Sequence, residues 1–351
     1  MSASAQGAAN APLPPGPRIV LLLPARGSRY ADAGDAVRRG FLAAREVAGD
    51  TVAVDTLETD ETAAQLLPAL DKARERGAEV VIGPLTRDAV NAVVDANREL
   101  PLLVTLSYPD RTSLPPAVLA FGFSIEQEAS QVARTALGVD ASGATTAAAP
   151  QRLLIVSGHA PLQRRGAEAF RRALIELGQQ PTVIEPSLDP GGLATLAARV
   201  KEAPFDQAFL ALDAREAGLV RPRLIGIAKL WATSQVDPGG ALAQARAGEL
   251  TGIRFADMPW MIEPEQPQVA SYPRPRLDDG SAVPVDLDRL YALGIDAYRL
   301  AKIWATGSTQ FEISGVTGLL SVDRNRSGRV ERFLVFAVFR QGRIQREDAA
   351  P

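Results

Sequence analysis

Residues 18–48 read RIVLLLPARGSRYADAGDAVRRGFLAAREVA, and this stretch predicts one strand and one helix of a parallel sheet. Its first seven residues, RIVLLLP, form an aliphatic run without polar alternation, which is typical of a strand buried on both faces. A helix with one buried side is predicted from Asp32 to Ala48, where apolar residues recur every three to four positions: Ala33, Val37, Phe41, Ala44 and Val47.

The same alternation of strand and helix continues up to a seam near Phe123. The second helix is expected to start near Pro68, because proline fits only the first turn, and to end at Gly77. Thr86 is predicted to cap the third helix. The strands predicted before the seam are residues 51–57, 79–82, 102–106 and 119–123.

A second α/β unit is predicted after the seam. Residues 124–127 read SIEQ, a capping box that opens a helix to Leu137. The alternation then restarts, which predicts another parallel sheet. Its predicted segments are residues 152–156, 161–177, 182–185, 193–200 and 207–212, followed by a loop at 263–284, a helix at 286–305 and a hairpin formed by 333–339 and 342–344.

The composition indicates a chain with a large core and nearly balanced charge. It has 351 residues, 46% of them hydrophobic, which is enough for two domains, and its formal net charge is −3. We predict no nucleic-acid partner, because such binding needs a basic surface. We also predict no transmembrane helix and no signal peptide, and residues 1–17, rich in Ala, Ser, Gly and Pro, are predicted to form a flexible tether.

Few residues are available for catalysis or metal binding. The chain has no cysteine and one histidine, His159, which excludes thiolate nucleophiles, iron–sulfur clusters and two-histidine metal sites. The first strand is followed by ARGS, not by a dinucleotide-binding glycine motif, and the chain contains neither H-E-x-x-H nor G-x-S-x-G. We therefore predict no enzymatic activity, no cofactor and no metal.

Two segments late in the chain have distinctive sequences. Residues 251–261 read TGIRFADMPWM, and residues 289–300 read RLYALGIDAYRL. Less specific segments are residues 19–24 with 33–44, VVIGPL (80–85), FGFS (121–124) and WATS (231–234). Together, over residues 18–344, they resemble the LppC/LpoA lipoproteins, a family of penicillin-binding protein activators. The string G-I-R-F-x-D-M-P-W is the most specific part of this resemblance.

The resemblance implies the type I periplasmic-binding fold, an α/β fold of two lobes, each a mostly parallel sheet flanked by helices, with a cleft between them. It also implies a periplasmic, non-enzymatic lipoprotein, anchored to the outer membrane through a lipidated N-terminal cysteine. Its implied partner is a bifunctional peptidoglycan synthase, a class A penicillin-binding protein. The sequence departs from the family by lacking that cysteine and a helical-repeat N-terminal domain, and by an insertion at residues 141–150.

On this fold the chain divides into two lobes that are each discontinuous in sequence. Lobe 1 is predicted to comprise residues 18–122 and 260–316, and lobe 2 residues 123–259 and 317–345. Residues 346–351 are predicted to be a tail. Ligands of open parallel sheets bind beyond the carboxyl ends of the strands, so these ends predict a binding cleft. The predicted cleft residues are Arg26, Ser28, Thr86, Ser107, Tyr108, His159, Thr233, Ser234 and Trp260.

The polar cleft residues of lobe 1 suggest how an acidic ligand would bind. Ser28, Thr86 and Ser107 offer hydroxyls and adjacent backbone N–H groups that could hold a carboxylate, as in amino-acid receptors of this fold. Arg26 could pair with an acidic group through two hydrogen bonds. Tyr108 could stack on the ligand.

Structural roles remain open for three of the cleft residues. Thr86 would serve equally well as a helix cap without any ligand. Trp260 either covers a ligand or closes the core between the lobes. His159 has no orienting carboxylate evident in the sequence, which favours a surface or capping role.

Three classes of function follow from these observations. The leading hypothesis is a regulator of cell-wall synthesis that acts by contact with a class A penicillin-binding protein. The alternative is a solute-binding receptor for a small amino acid or peptide that serves an ABC transporter, and a muropeptide is a further candidate ligand. An enzyme would need carboxylates such as Asp55, Asp213 and Asp257 to meet in the cleft.

Overall fold

The computed structural model describes residues 18–139 and 151–347, and it confirms the predicted two-lobed α/β architecture. The predicted tether, the insertion at 141–150 and residues 348–351 of the predicted tail lie outside the described residues. No helix in the described ranges is both long and apolar enough to cross a membrane.

The first lobe is built on a parallel sheet whose internal strands are buried on both faces. Its strands are β1 (Arg18–Pro24), β2 (Ala53–Thr59), β3 (Val80–Ile82), β4 (Leu102–Thr105) and β5 (Val118–Ala120). They are ordered β2-β1-β3-β4-β5. In β1, Ile19 and Leu21 pack into one core, whereas Val20 and Leu22 pack into the core on the other face. This two-sided burial explains the continuous aliphatic run of the sequence.

The second lobe contains a larger, mixed sheet. The remaining strands of the described chain are β6 (Leu153–Ser157), β7 (Thr182–Ile184), β8 (Gln207–Ala211), β9 (Lys229–Ala232), β10 (Ile253–Asp257), β11 (Gln310–Ser314), β12 (Leu319–Asp323), β13 (Glu331–Phe333), β14 (Val335–Arg340) and β15 (Arg343–Glu347). The sheet order is β15-β14-β10-β9-β8-β6-β7, and β14 and β15 run antiparallel to their neighbours. Gln341 and Gly342 both have positive φ, at 51° and 72°, and form the predicted hairpin turn.

The helices pack on the faces of these sheets. They are α1 (Ala31–Ala48), α2 (Ala63–Glu75), α3 (Arg87–Val94), α4 (Ile125–Ala136), α5 (Pro161–Glu176), α6 (Pro190–Glu202), α7 (Ala214–Val220), α8 (Gly240–Arg246), α9 (Pro259–Ile262), α10 (Pro267–Ala270) and α11 (Val285–Ala305). α10 interrupts the predicted loop at 263–284. Helices α1 and α11 approach closely at Gly40 and Gly294, where an added Cβ would collide with the carbonyls of Tyr291 and Val37.

Helix α2 begins earlier than the sequence predicts. It starts at Ala63, so Pro68 lies inside the helix and the predicted first-turn position was wrong. The amides of Gln65 and Leu66 both donate to the Thr62 carbonyl, and Leu66 is fully buried. The burial of Leu66 stabilises the helix ahead of the proline, which removes one internal hydrogen bond.

The border between the lobes differs from the predicted one near the end of the chain. Strands β11, β12 and β13 form an antiparallel sheet of their own, and Val330 donates to the carbonyl of Ala120 at the end of β5. The predicted boundary assigned residues 317–333 to lobe 2, but these contacts join them to the first lobe. After β13 the chain enters the seven-stranded sheet as β14, so the chain passes from the first lobe to the second near Leu334. Backbone pairing decides this border, and the short strands give little periodicity to predict it.

Candidate functional site

A cavity of about 420 Å³ lies where the chain crosses between the lobes. It opens at the carboxyl ends of β9 and β10, where the sequence analysis placed the second-lobe side of the cleft. The first turns of α4, α5 and α11 complete its walls. Its polar lining residues are Glu128, Arg165, Ser234, Gln235, Asp237, Asp286 and Arg289.

A buried ion pair joins α11 to the end of β10 beside this cavity. The Nη2 atom of Arg289 lies 2.6 Å from Oδ2 of Asp257, and the two side chains are 14% and 1% exposed. Arg289 also donates to the carbonyl of Ser234 at 3.3 Å. Burial opposes the charge on Arg289, but the carboxylates of Asp257, Asp237 and Glu128 raise its pKa above the ordinary value. Arg289 therefore stays charged, and its contact with Asp257 links α11 to the end of β10.

A second buried pair links α4 to β13. The carboxylate of Glu128 lies 3.5 Å from Nη2 of Arg332, whose guanidinium is 4.8 Å from the ring centre of Phe123. The amide and hydroxyl of Ser234 both donate to Glu128, at 3.3 and 2.8 Å. Burial raises the pKa of Glu128, and the Arg332 guanidinium works against that rise. Within the described chain, the side-chain nitrogens of Arg332 have no hydrogen-bond partner.

Two further buried groups near the cavity are incompletely satisfied. Asp237 is 3% exposed and accepts one bond at 2.9 Å, from the amide of Gly239. Its burial, together with the nearby Asp257 carboxylate, raises its pKa to about 6. The hydroxyl of Thr233 is buried and has no hydrogen-bond partner among the described residues. The predicted cleft residues Thr233 and Ser234 thus lie together at this cavity or beside it.

At the corresponding edge of the first lobe, the backbone amides that follow β3 are bound by the carboxylate of Glu61. Glu61 is 8% exposed, and its two carboxylate oxygens accept from the amides of Leu85 at 2.8 Å and Thr86 at 2.9 Å. Thr86 also caps α3 through its hydroxyl, which accepts from the Ala89 amide at 3.3 Å. The structure therefore gives Thr86 the capping role that the sequence analysis kept open.

The other predicted residues of the first lobe are not gathered around one cavity. Arg26 is exposed and lies 3.2 Å from Glu58, and the Ser28 hydroxyl accepts from the Tyr30 amide at 3.3 Å. Tyr108 is buried, and its hydroxyl donates to the Val330 carbonyl at 2.8 Å, so its ring has no free face. The carbonyl of Ser107 accepts from Thr105 at 2.8 Å.

The two remaining predicted residues also have protein partners. His159 lies on the surface, 3.6 Å from Glu185. Trp260 is fully buried, its indole N–H donates to Asp288 at 2.7 Å, and the Arg274 guanidinium stacks 3.8 Å from its ring centre. These contacts support the packing alternative for Trp260.

The chemistry of the cavity suits polar recognition. Negatively charged carboxylates and positively charged guanidinium groups converge there, and burial strengthens the interactions between them. No group of three or more His, Cys, Asp or Glu suited to a metal occurs in the described ranges. Glu61, Glu128, Arg289 and Arg332 were not predicted, because their partners lie far away along the chain. Asp237 was not predicted because its burial depends on tertiary packing.

The family description "LppC putative lipoprotein" matches residues 13–173 and 194–342. Among curated relatives, the penicillin-binding protein activator LpoA of Edwardsiella piscicida is 27% identical over 355 residues, covering 85% of this chain and 48% of the relative. LpoA of Photobacterium profundum is 26% identical, covering 92% and 55%. The chain thus spans about half the length of the curated relatives it matches.

Solved structures share the fold along nearly the whole chain. The C-domain of LpoA from Haemophilus influenzae, described as a regulator of PBP1A, has a TM-score of 0.75 at 21% identity, covering 94% of this chain and 99% of that chain. A Chromobacterium violaceum protein described as a "putative branched-chain amino acid ABC transporter" has a TM-score of 0.74 at 31% identity, covering 92% and 100%. These structures confirm the type I periplasmic-binding fold. The chain belongs to the LppC lipoprotein family.

Proposed function

We propose that this chain regulates peptidoglycan synthesis by direct contact with a class A penicillin-binding protein. The observation that carries the proposal is the match, over 99% of its length, to the LpoA C-domain described as a regulator of PBP1A. The curated relatives named as penicillin-binding protein activators support the same role. The chain acts through binding, without catalysis of its own.

The proposal is tested with a purified class A penicillin-binding protein from the same organism. We expect the chain to be retained on the immobilised synthase and to raise the rate of peptide cross-linking of lipid II in a reconstituted assay. An amino-acid-binding protein of the same fold serves as the control for non-specific effects. Absence of both binding and stimulation would contradict the proposal.

We further propose that the protein works in the periplasm, attached to the outer membrane by a lipid. Membership of the LppC lipoprotein family supports this location. The test is fractionation of cells that express the protein from its native locus, combined with metabolic labelling by a radioactive fatty acid. Recovery of unlabelled protein in the cytoplasm would overturn this location.

A solute receptor is the second candidate function. It is supported by the 31% identity to the Chromobacterium violaceum protein and by the cavity of about 420 Å³ between the lobes. Native mass spectrometry of the purified chain, followed by analysis after denaturation, tests it directly. A released small molecule supports a receptor. An unliganded chain that also shows no thermal shift with amino acids, peptides or muropeptides argues against it.

A further inference from the structure

The antiparallel sheet of β11, β12 and β13 has one buried face and one exposed face. On the inner face, the side chains of Ile313, Leu320 and Val322 are buried in the core. Because side chains alternate along a strand, the residues between them form the outer face. The strand register places two rows of residues side by side on that outer face: Ser314, Leu319 and Phe333 in one row, and Glu312, Ser321 and Glu331 in the other.

The first row exposes two large apolar side chains next to each other. Leu319 is 40% exposed and Phe333 is 47% exposed, and the two residues are directly opposite each other in the pairing of β12 with β13. Single exposed apolar residues are ordinary on protein surfaces, whereas adjacent ones indicate a surface that associates with another molecule. This pair is therefore a candidate anchor for a partner.

The second row is acidic. Glu312 and Glu331 are both exposed, and within the described ranges neither carboxylate has an ion-pair partner. Neither row contains a lysine or an arginine. Arg299 reaches the end of β11, where it donates to the Ser314 carbonyl at 2.8 Å, but its charge is matched by Asp296 at 3.3 Å. The outer face thus combines an apolar pair with two unpaired negative charges.

The sheet that carries this face is held firmly on α11. The fully buried carboxylate of Asp296 accepts from the amides of Val316 at 3.1 Å and Thr317 at 2.7 Å, and from the Thr317 hydroxyl at 2.6 Å. These bonds fix the turn between β11 and β12 to the helix. A surface that is already ordered loses less conformational entropy when a partner binds it.

We propose that this outer face binds the class A penicillin-binding protein, and that the complementary surface of the synthase carries apolar side chains bordered by lysine or arginine. The proposal rests on the regulatory function proposed above. The charges of Glu312 and Glu331 favour a basic protein surface, because like charges repel a second copy of this face, a nucleic acid or an anionic membrane. The face is separate from the cavity between the lobes, whose lining contains none of its residues.

The test is the affinity of variants for the immobilised synthase, measured by surface plasmon resonance. Phe333→Thr removes the aromatic anchor and keeps a residue that favours strands, and we expect it to raise the dissociation constant at least about tenfold. The double variant Glu312→Lys, Glu331→Lys should also raise it about tenfold at about 0.1 M sodium chloride, and by less at about 0.5 M, because salt screens exposed charges.

Two matched controls lie in the second lobe. Ile225→Thr changes an apolar side chain that is 85% exposed, and Glu176→Lys reverses an exposed charge at the end of α5. Both should bind the synthase like wild type, with melting temperatures confirming that every variant is folded. If Phe333→Thr does not fold, the double charge variant decides.

The outcomes distinguish this surface from the function itself. If the wild-type chain binds and the variants of the outer face bind equally well, the proposed surface is wrong and the regulatory function stands. The proposed surface is also wrong if the controls lose as much affinity, or if the chain forms a dimer that Phe333→Thr dissociates. A wild-type chain that does not bind the synthase contradicts the regulatory function and the surface together.

Discussion

The two edges of the cleft satisfy their buried polar groups in different ways. At the first-lobe edge, Glu61 binds the amides of Leu85 and Thr86, and the Thr86 hydroxyl caps α3. At the crossing between the lobes, buried groups remain without a hydrogen-bond partner in the described part of the chain: Thr233 Oγ1, Arg289 Nε and the side-chain nitrogens of Arg332.

This difference in hydrogen bonding suggests different roles for the two edges: a structural role for the first-lobe edge and binding of a ligand for the crossing. A buried donor without a partner costs free energy, and proteins keep such groups mainly where water, a ligand or a conformational change uses them. At the first-lobe edge Glu61 binds the amides of Leu85 and Thr86, whereas the crossing combines atoms without a hydrogen-bond partner in the described part of the chain, charges of both signs and a cavity of about 420 Å³. We therefore propose the crossing as the place where a ligand would bind.

Loss of the central ion pair at the crossing should have the largest effect on stability. In Asp257→Ala the Arg289 guanidinium loses the carboxylate at 2.6 Å and stays buried. We expect a loss of about 3–5 kcal/mol of unfolding free energy, since an uncompensated buried charge is costly. Urea unfolding followed by circular dichroism measures it.

The matched control is an exposed ion pair of the second lobe. Arg152 and Asp206 lie 2.9 Å apart with side chains 60% and 43% exposed, so Asp206→Ala should have little effect. The double variant Asp257→Leu, Arg289→Leu should recover much of the stability lost by Asp257→Ala. Equal losses for Asp257→Ala and Asp206→Ala would show that the crossing is not an energetically special site.

The raised pKa of Asp237 predicts an unusual dependence of stability on pH. The folded state binds this proton more tightly than the unfolded state, whose carboxyl titrates near 3.8. The stabilisation is therefore complete below that value and is lost as the pH rises through about 6. Relative to Asp237→Asn, the wild-type chain should lose roughly 2–3 kcal/mol between pH 4 and pH 7.

Asp60, an exposed carboxyl in the first lobe, should give the opposite dependence of stability on pH. The Thr62 hydroxyl and amide lower the pKa of Asp60, so its stabilisation is present at high pH and is lost on acidification. Urea unfolding of Asp60→Asn and Asp237→Asn at several pH values should therefore give differences from wild type of opposite slope. If the difference in unfolding free energy between Asp237→Asn and wild type does not change with pH, then burial and Asp257 do not raise the pKa of Asp237.

The capping hydroxyl of the first-lobe edge should have a smaller effect. Thr86→Ala removes the bond to the Ala89 amide but leaves both amide bonds to Glu61 in place. We expect a loss of about 1 kcal/mol, the usual contribution of a threonine cap. Thr112→Ala is the control, because Thr112 is exposed and lies outside the helices and strands. A loss much larger than the control plus one cap would mean that Thr86 also supports the Glu61 contact.

The elements of the fold were largely predictable, because they follow from local patterns. The aliphatic run of β1 and the capping serine of α4 both have the predicted structure, and the Ser124 hydroxyl accepts from the Gln127 amide at 3.2 Å. The border at residues 317–333 was not predictable, since strands β11 to β13 are short and their pairing is set by distant contacts. The approach of α1 and α11 at Gly40 and Gly294 likewise depends on which helices become neighbours.

The site was predictable as a position but not as a set of contacts. The strand pattern predicted Ser234 as a cleft residue, and Ser234 lines the cavity, while its role in binding stays a prediction. The sequence could not show that Glu61 lies against Leu85, 24 positions away, because a left-handed glutamate has no sequence signature. Asp257 was a candidate cleft carboxylate, but Arg289 is 32 positions away, and nothing in the sequence indicates that the two side chains pair.

A pair of identical substitutions compares the two edges most directly, with expected effects no larger than that of the Thr86 cap. Thr105 and Thr233 are both buried, at 0% and 1% exposure, and valine matches threonine closely in shape. The Thr105 hydroxyl donates to the Ser107 carbonyl at 2.8 Å, so Thr105→Val should lose about 1 kcal/mol. The Thr233 hydroxyl has no partner among the described residues, so Thr233→Val should gain up to about 1 kcal/mol.

Changes of opposite sign in the urea-unfolding free energies of the two variants would support the contrast: buried polar groups of the described chain have hydrogen-bond partners at the first-lobe edge and lack them at the crossing. A loss of stability in Thr233→Val would mean that water or a bound molecule already uses this hydroxyl, and the crossing would then be as fully satisfied as the first-lobe edge. The same measurement with added muropeptide separates these two partners. Because Thr233→Val replaces the hydroxyl by a methyl group, a ligand that binds through the hydroxyl should stabilise the wild-type chain more than the variant.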